Sequence, residues 1–143
     1  SRIHEKNLTS TNGISIRLSP NMEYYTSHFT SPESGQWHLL TADPGHYQDR
    51  KRFDGELTNG STSYTIAPVY NFEGKELPLP DIVGYEFKAG DKVLAAVQVL
   101  NNGKVWLQPT LSSDDRMVLT SAMASLLIYD KLYQAREAGE LNP

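Results

Sequence analysis

The segment "TADPGHYQDRKRFDGEL", residues 41–57, gathers the side chains best suited to chemistry. His46 stands among Asp43, Asp49 and Asp54, and an imidazole beside a carboxylate is a common pairing for general acid–base work. The same residues also read as a turn at Asp43-Pro44-Gly45 followed by a surface-loop histidine. Arg50-Lys51-Arg52 is the only basic cluster in the chain. In an extended strand Arg50 and Arg52 share a face, and two guanidinium forks there suit one anionic headgroup. Flanked by Asp49 and Asp54, the trio equally fits a solvated edge strand guarded by charge. His46, Arg50, Lys51 and Arg52 are the candidate ligand-binding residues, and no catalytic residue is assigned.

Other chemistries find little support. There is no cysteine, so thiolate catalysis, disulfides and cysteine metal sites are excluded. His4, His28 and His38 lack the spacing of a zincin helix, and no nucleophile elbow, phosphate-binding glycine loop or EF-hand loop occurs. No cofactor and no metal are expected. With 13 basic and 17 acidic side chains, the net charge of −4 gives no electrostatic reason to bind nucleic acid. Tyr24, Tyr25, Phe29 and Trp37 offer a third possibility, an aromatic recognition surface. Strand alternation would send half of them into a core.

The elements that must position these groups are mostly strands. Turn signals recur at Asn12-Gly13, Ser34-Gly35, Pro44-Gly45, Asp54-Gly55, Asn59-Gly60, Glu73-Gly74, Ala89-Gly90 and Asn102-Gly103. Between them lie β-branched and aromatic runs, the pattern of short strands in a sandwich or barrel. Residues 1–143 read as a single domain, with strands within about 12–111. "ISIRL" alternates cleanly, while the two prolines of "PLPD" at 78–81 place it in a loop. Asn102-Gly103 predicts a type I′ turn pairing Leu100 with Val105 and Val99 with Trp106. Both faces of that hairpin are largely apolar, which predicts a position deep in the sheet.

The chain then changes character. From Met117 to Tyr129 no residue is charged. Ser112 and Ser113 are N-cap candidates, and Asp114 and Asp115 suit the positive end of a helix spanning about 114–137. Its apolar residues keep to no single stripe, which predicts a helix enclosed on all sides. At thirteen residues the uncharged run is too short to span a membrane, which takes roughly 17 to 25.

Short strands followed by one apolar C-terminal helix form an unusual order. Residues 84–132, "GYEFKAGDKVLAAVQVLNNGKVWLQPTLSSDDRMVLTSAMASLLIYDKL", combine a hairpin, Asp115 opening a helix, a small-and-apolar body and Asp130 leaving it. This resembles the closing pattern of the tubby-like superfamily, which includes tubby C-terminal domains, phospholipid scramblases and LURP-one-related proteins. The resemblance implies a mainly β fold, a closed antiparallel β-barrel of short strands surrounding the helix. It further implies a non-enzymatic binding or scaffold domain whose partner is anionic lipid at a membrane surface or another protein. Tubby domains bind phosphoinositides through basic side chains, which directs attention to Arg50, Lys51 and Arg52. The alternative is a lipocalin-like barrel for a small hydrophobic ligand, with the helix packed outside.

Overall fold

A computed structural model describes residues 6–9, 15–18, 23–43, 53–71, 82–100 and 103–137, with side chains from residue 23 through residue 132 within those ranges. Two short strands, β1 (Lys6–Thr9) and β2 (Ser15–Leu18), pair antiparallel with Leu8 opposite Ile16. β1 therefore lies outside the expected 12–111 range. The principal sheet has seven strands: β3 (Glu23–Ser31), β4 (Gly35–Asp43), β5 (Asp54–Thr58), β6 (Ser63–Val69), β7 (Gly84–Ala89), β8 (Lys92–Gln98) and β9 (Lys104–Leu107). They pair antiparallel in chain order, each with its sequence neighbours. This meander curls into a half-barrel, and one helix, α1 (Ser113–Glu137), completes the architecture.

Alternation decides what each strand turns inward. Register puts Phe29 opposite Trp37, Leu57 opposite Tyr64, Ile66 opposite Phe87 and Tyr85 opposite Val97. Side chains directly opposite share a face, and all eight belong to one core with Leu39 and Ala95. The concave face is therefore the apolar one. Trp37 stacks on Tyr64 with ring centroids 5.8 Å apart and planes 4° from parallel, while its indole N–H donates to Ser34 Oγ at 2.8 Å. Gly84 allows β7 and β8 to meet closely. A Cβ there would lie 2.4 Å from the Val97 carbonyl oxygen, closer than any side chain permits.

Asp54-Gly55, expected to be a turn, lies inside β5. Gly55 serves proximity there, since an added Cβ would meet Ile66 Cβ at 2.9 Å. The turns at Ser34-Gly35, Asn59-Gly60 and Ala89-Gly90 are present, with φ of 82°, 95° and 62° at the three glycines. These are left-handed values that only glycine adopts freely.

The last hairpin differs from expectation in register and position. Val105 stands opposite Val97, and Trp106 opposite Ala96. Leu100 and Val99 belong to the connection, where Gly103 N–H donates to the Leu100 carbonyl at 3.2 Å. Far from lying deep in the sheet, β9 is its last strand, and Val105 and Trp106 are exposed. Apolarity on both faces marked an edge here, not a buried strand.

The helix starts where its sequence signals place it. Ser112 Oγ accepts the Asp115 backbone N–H at 3.1 Å, filling one of the helix's unpaired donors. Val118, Leu119, Ala122, Met123 and Leu126 are buried in the core of the concave face. At about 1.5–3 kcal/mol for each large apolar side chain, this stripe binds the helix firmly to the sheet. The opposite stripe is open: Met117 is 41% exposed, Ile128 58% and Leu132 53%, with Thr120 and Ala124 between them. The expected all-round enclosure is thus corrected to a helix seated in a half-barrel and bare along one side. The sequence hid this because the exposed stripe is as apolar as the buried one.

Candidate functional site

None of the residues proposed from sequence as ligand-binding can be placed: His46, Arg50, Lys51 and Arg52 lie outside the described residues, as does Asp49. Of the carboxylates grouped with His46, Asp43 ends β4 half-buried and Asp54 opens β5 exposed. Among the proposed recognition aromatics, Tyr25, Phe29 and Trp37 belong to the core, and only Tyr24 faces outward on β3.

Two surface features stand out instead. The first is apolar. Among the described residues, the exposed large apolar side chains are Val105, Trp106, Met117, Ile128 and Leu132, all on the last two elements, β9 and α1. The hairpin leading into β9 touches the helix: a Cβ on Gly103 would lie 3.2 Å from Leu127 Cδ2. That contact sets the start of β9 against the half of α1 that carries Ile128 and Leu132. Among the described residues β9 pairs with β8 alone. Gln108 N–H donates to the Leu94 carbonyl at 2.9 Å. Hydrogen-bonded pairs alternate along an antiparallel ladder, so Trp106 and Lys104 face β8 through their backbone groups. The N–H and C=O groups of Val105 and Leu107 then point to the open edge.

At the opposite edge of the sheet, side chains of β3 make polar contacts to the helix. Tyr25 donates its hydroxyl proton to the Ser125 carbonyl at 3.1 Å, and the Ser125 hydroxyl donates to the Tyr25 oxygen at 2.6 Å. Tyr25 and Tyr129 stack with centroids 4.4 Å apart, and the Tyr129 hydroxyl donates to the Glu23 carboxylate. At the far end Ser31 donates to Asp114, and this bond, seconded by Ser34, holds the Asp114 carboxyl below its ordinary range. Burial raises the Tyr129 hydroxyl pKa, with Glu23 adding to the effect. Burial also pushes the Tyr64 hydroxyl up to about 12, with Asp115 adding to it. The Tyr129 phenol fastens α1 to β3, and the Tyr64 phenol, donating to Asp115, fastens it to β6.

The second feature is a histidine pair on the convex face. His28 and His38 stand directly opposite each other on β3 and β4, with Nδ1 atoms 3.2 Å apart and rings edge-to-face. Sequence reading treated them as unrelated. They stand five residues either side of Glu33, the centre of the β3–β4 hairpin. Burial, and then the neighbouring His28, lower the His38 pKa. Among the described residues no cluster of three or more His, Cys, Asp or Glu side chains is arranged to hold a metal ion. No helix of the described residues is long and apolar enough to cross a membrane.

Comparison with known proteins returns nothing: no family model, no curated protein and no solved structure matches the chain.

Proposed function

We propose that this chain is a non-enzymatic binding domain of the tubby-like kind that receives an extended, apolar segment of a protein partner along the open edge of β9. The carrying observation is the confinement of exposed large apolar side chains to β9 and α1. Large apolar side chains left exposed beside an unpaired strand edge commonly mark an interaction site. An edge strand with outward amide groups gives an extended peptide its backbone partners, and neighbouring apolar side chains supply selectivity. The resemblance of residues 84–132 to the tubby-like closing pattern in sequence supports a binding role. A lipocalin-like ligand barrel asks for the helix outside, whereas Val118, Leu119, Ala122, Met123 and Leu126 join the concave core.

The test is a titration of isotope-labelled protein with apolar peptides selected against it from a random library. Amide shifts are expected at residues 104–107 and along Met117, Ala124 and Ile128. Val105→Pro, which removes an outward N–H from an edge position that tolerates proline, should abolish binding. Shifts confined to other strands would overturn the reading. So would concentration-dependent self-association through the same edge. A third overturning result is capture by anionic liposomes that depends on Arg50 and Arg52, which would make lipid the partner.

A further inference from the structure

We propose that His28 and His38 form a two-histidine chelate for a divalent transition-metal ion on the convex face of the β3–β4 hairpin. The position is rigidly set. Nine consecutive residue pairs lock β3 to β4, from Glu23–Asp43 to Ser31–Gly35, and Gly35 closes the turn at φ 82°. A metal at about 2.0–2.1 Å from two imidazole nitrogens in tetrahedral geometry holds those nitrogens about 3.3 Å apart. The Nδ1 separation of 3.2 Å meets that bite. Each lone pair has to swing off the N–N line by roughly 35°, a rotation about the side-chain torsions that leaves the strands in place.

The electronic state also suits a metal. Zinc, copper and nickel bind the neutral imidazole. In the metal-free pair one Nδ1–H donates to the other ring's Nδ1. Binding requires that ring to exchange its Nδ1 proton for one on Nε2 through solvent, with no net release, and both rings then carry their hydrogen on Nε2. His28 is exposed, so water completes the coordination sphere from its side. His38 Nε2 is buried without a hydrogen-bond partner, and a proton held there goes unpaired. That cost, with only two protein ligands, sets the affinity in the micromolar range, well short of a closed four-ligand site. The side chains sharing the convex face around the pair are Thr26 and Thr30 on β3, Gln36 and Leu40 on β4, and Glu56 and Thr58 on β5. Apart from the histidines only Glu56 among them is ionisable.

The experiment is calorimetric titration of the full chain at pH 7.5 with nickel, copper and zinc chlorides. Saturable binding of one ion is expected, tightest for copper as the Irving–Williams order requires. His28→Gln and His38→Gln should each abolish it, and His4→Gln/His46→Gln together should leave it unchanged. Binding should weaken on acidification, because protons compete for both nitrogens. His28→Gln decides the matter alone if His38→Gln fails to fold, since His28 is exposed and its replacement leaves the core untouched. Absence of saturable binding would overturn the proposal. Binding lost in the His4→Gln/His46→Gln variant and retained in His28→Gln would do the same.

Discussion

The two outer strands of the seven-stranded sheet meet the helix in opposite ways. β3 is fastened to α1 along its length, from Tyr129–Glu23 at one end, through Tyr25–Ser125, to Ser31–Asp114 at the other. β9 approaches the same helix through the Gly103–Leu127 contact and leaves Val105 and Trp106 in water. Both outer strands pair through their backbones with a single neighbour among the described residues; the difference lies in the side chains, which β3 matches to the helix and β9 leaves apolar and exposed.

The most severe way to probe that contrast is to charge the two stripes of the helix in turn. Ala122 is fully buried against the sheet, so Ala122→Arg should cost on the order of 4 kcal/mol or more and abolish cooperative folding. Ala124→Arg, on the bare stripe, should melt close to the wild type. Equal damage from both would show the outer stripe to be covered after all. Circular dichroism melts decide it.

A smaller loss tests the β3 edge. Tyr25→Phe removes the hydroxyl that joins β3 to Ser125 and leaves the buried Ser125 side chain without that partner. Chemical denaturation should report a loss of about 1–2 kcal/mol. No loss would mean that the apolar stripe alone seats the helix.

At the open edge, Trp106→Ser should change stability by no more than about 0.5 kcal/mol, because the indole is 47% exposed. It should nevertheless weaken peptide binding. A large stability loss would assign Trp106 to the core and remove the contrast between the edges.

The mildest effect belongs to the sheet between them. Burial raises the Glu56 carboxyl above its ordinary 4.5; a hydrogen bond with Ser63 partly opposes this, and Asp54 adds to the rise. A raised carboxyl pKa means that the folded state holds the proton more tightly than the unfolded one. Its contribution is therefore most favourable below the ordinary value and is lost as pH rises through the raised one. Glu56→Gln should melt slightly above the wild type at pH 7, and the gap should close as the pH falls below 4.5. A gap independent of pH would rule out the charge as its cause.

What the sequence disclosed follows from how local each signal is. The helix was legible because Ser112, Asp114, Asp115 and an uncharged body act within a few residues of one another. The mainly β character followed from glycine turns and alternating runs. The openness of the half-barrel was not legible, since Met117, Ala124 and Ile128 on the bare stripe look the same as Val118, Ala122 and Leu126 on the buried one. Composition does not distinguish an apolar face covered by its own sheet from one left exposed. The β9 register was missed by three residues because Asn-Gly outweighed the longer connection actually used. The histidine pair was not legible, because Ser34-Gly35 taken as the two turn residues sets His28 opposite Thr41, whereas the hairpin is centred on Glu33.

The fastening of α1 to β3 also governs the order in which this chain assembles. Every strand pair of the large sheet joins sequence neighbours, so the meander assembles from pairings far more local than those of the helix. The bonds from helix to β3 instead join residues 83, 100 and 106 positions apart. The apolar lining of the sheet thus forms from local pairings and stays wet until a segment lying beyond all seven strands arrives to cover it. Of the contacts described, the bonds from helix to β3 span the longest stretches of chain, and any state that lacks them leaves the apolar concave face open to misassociation.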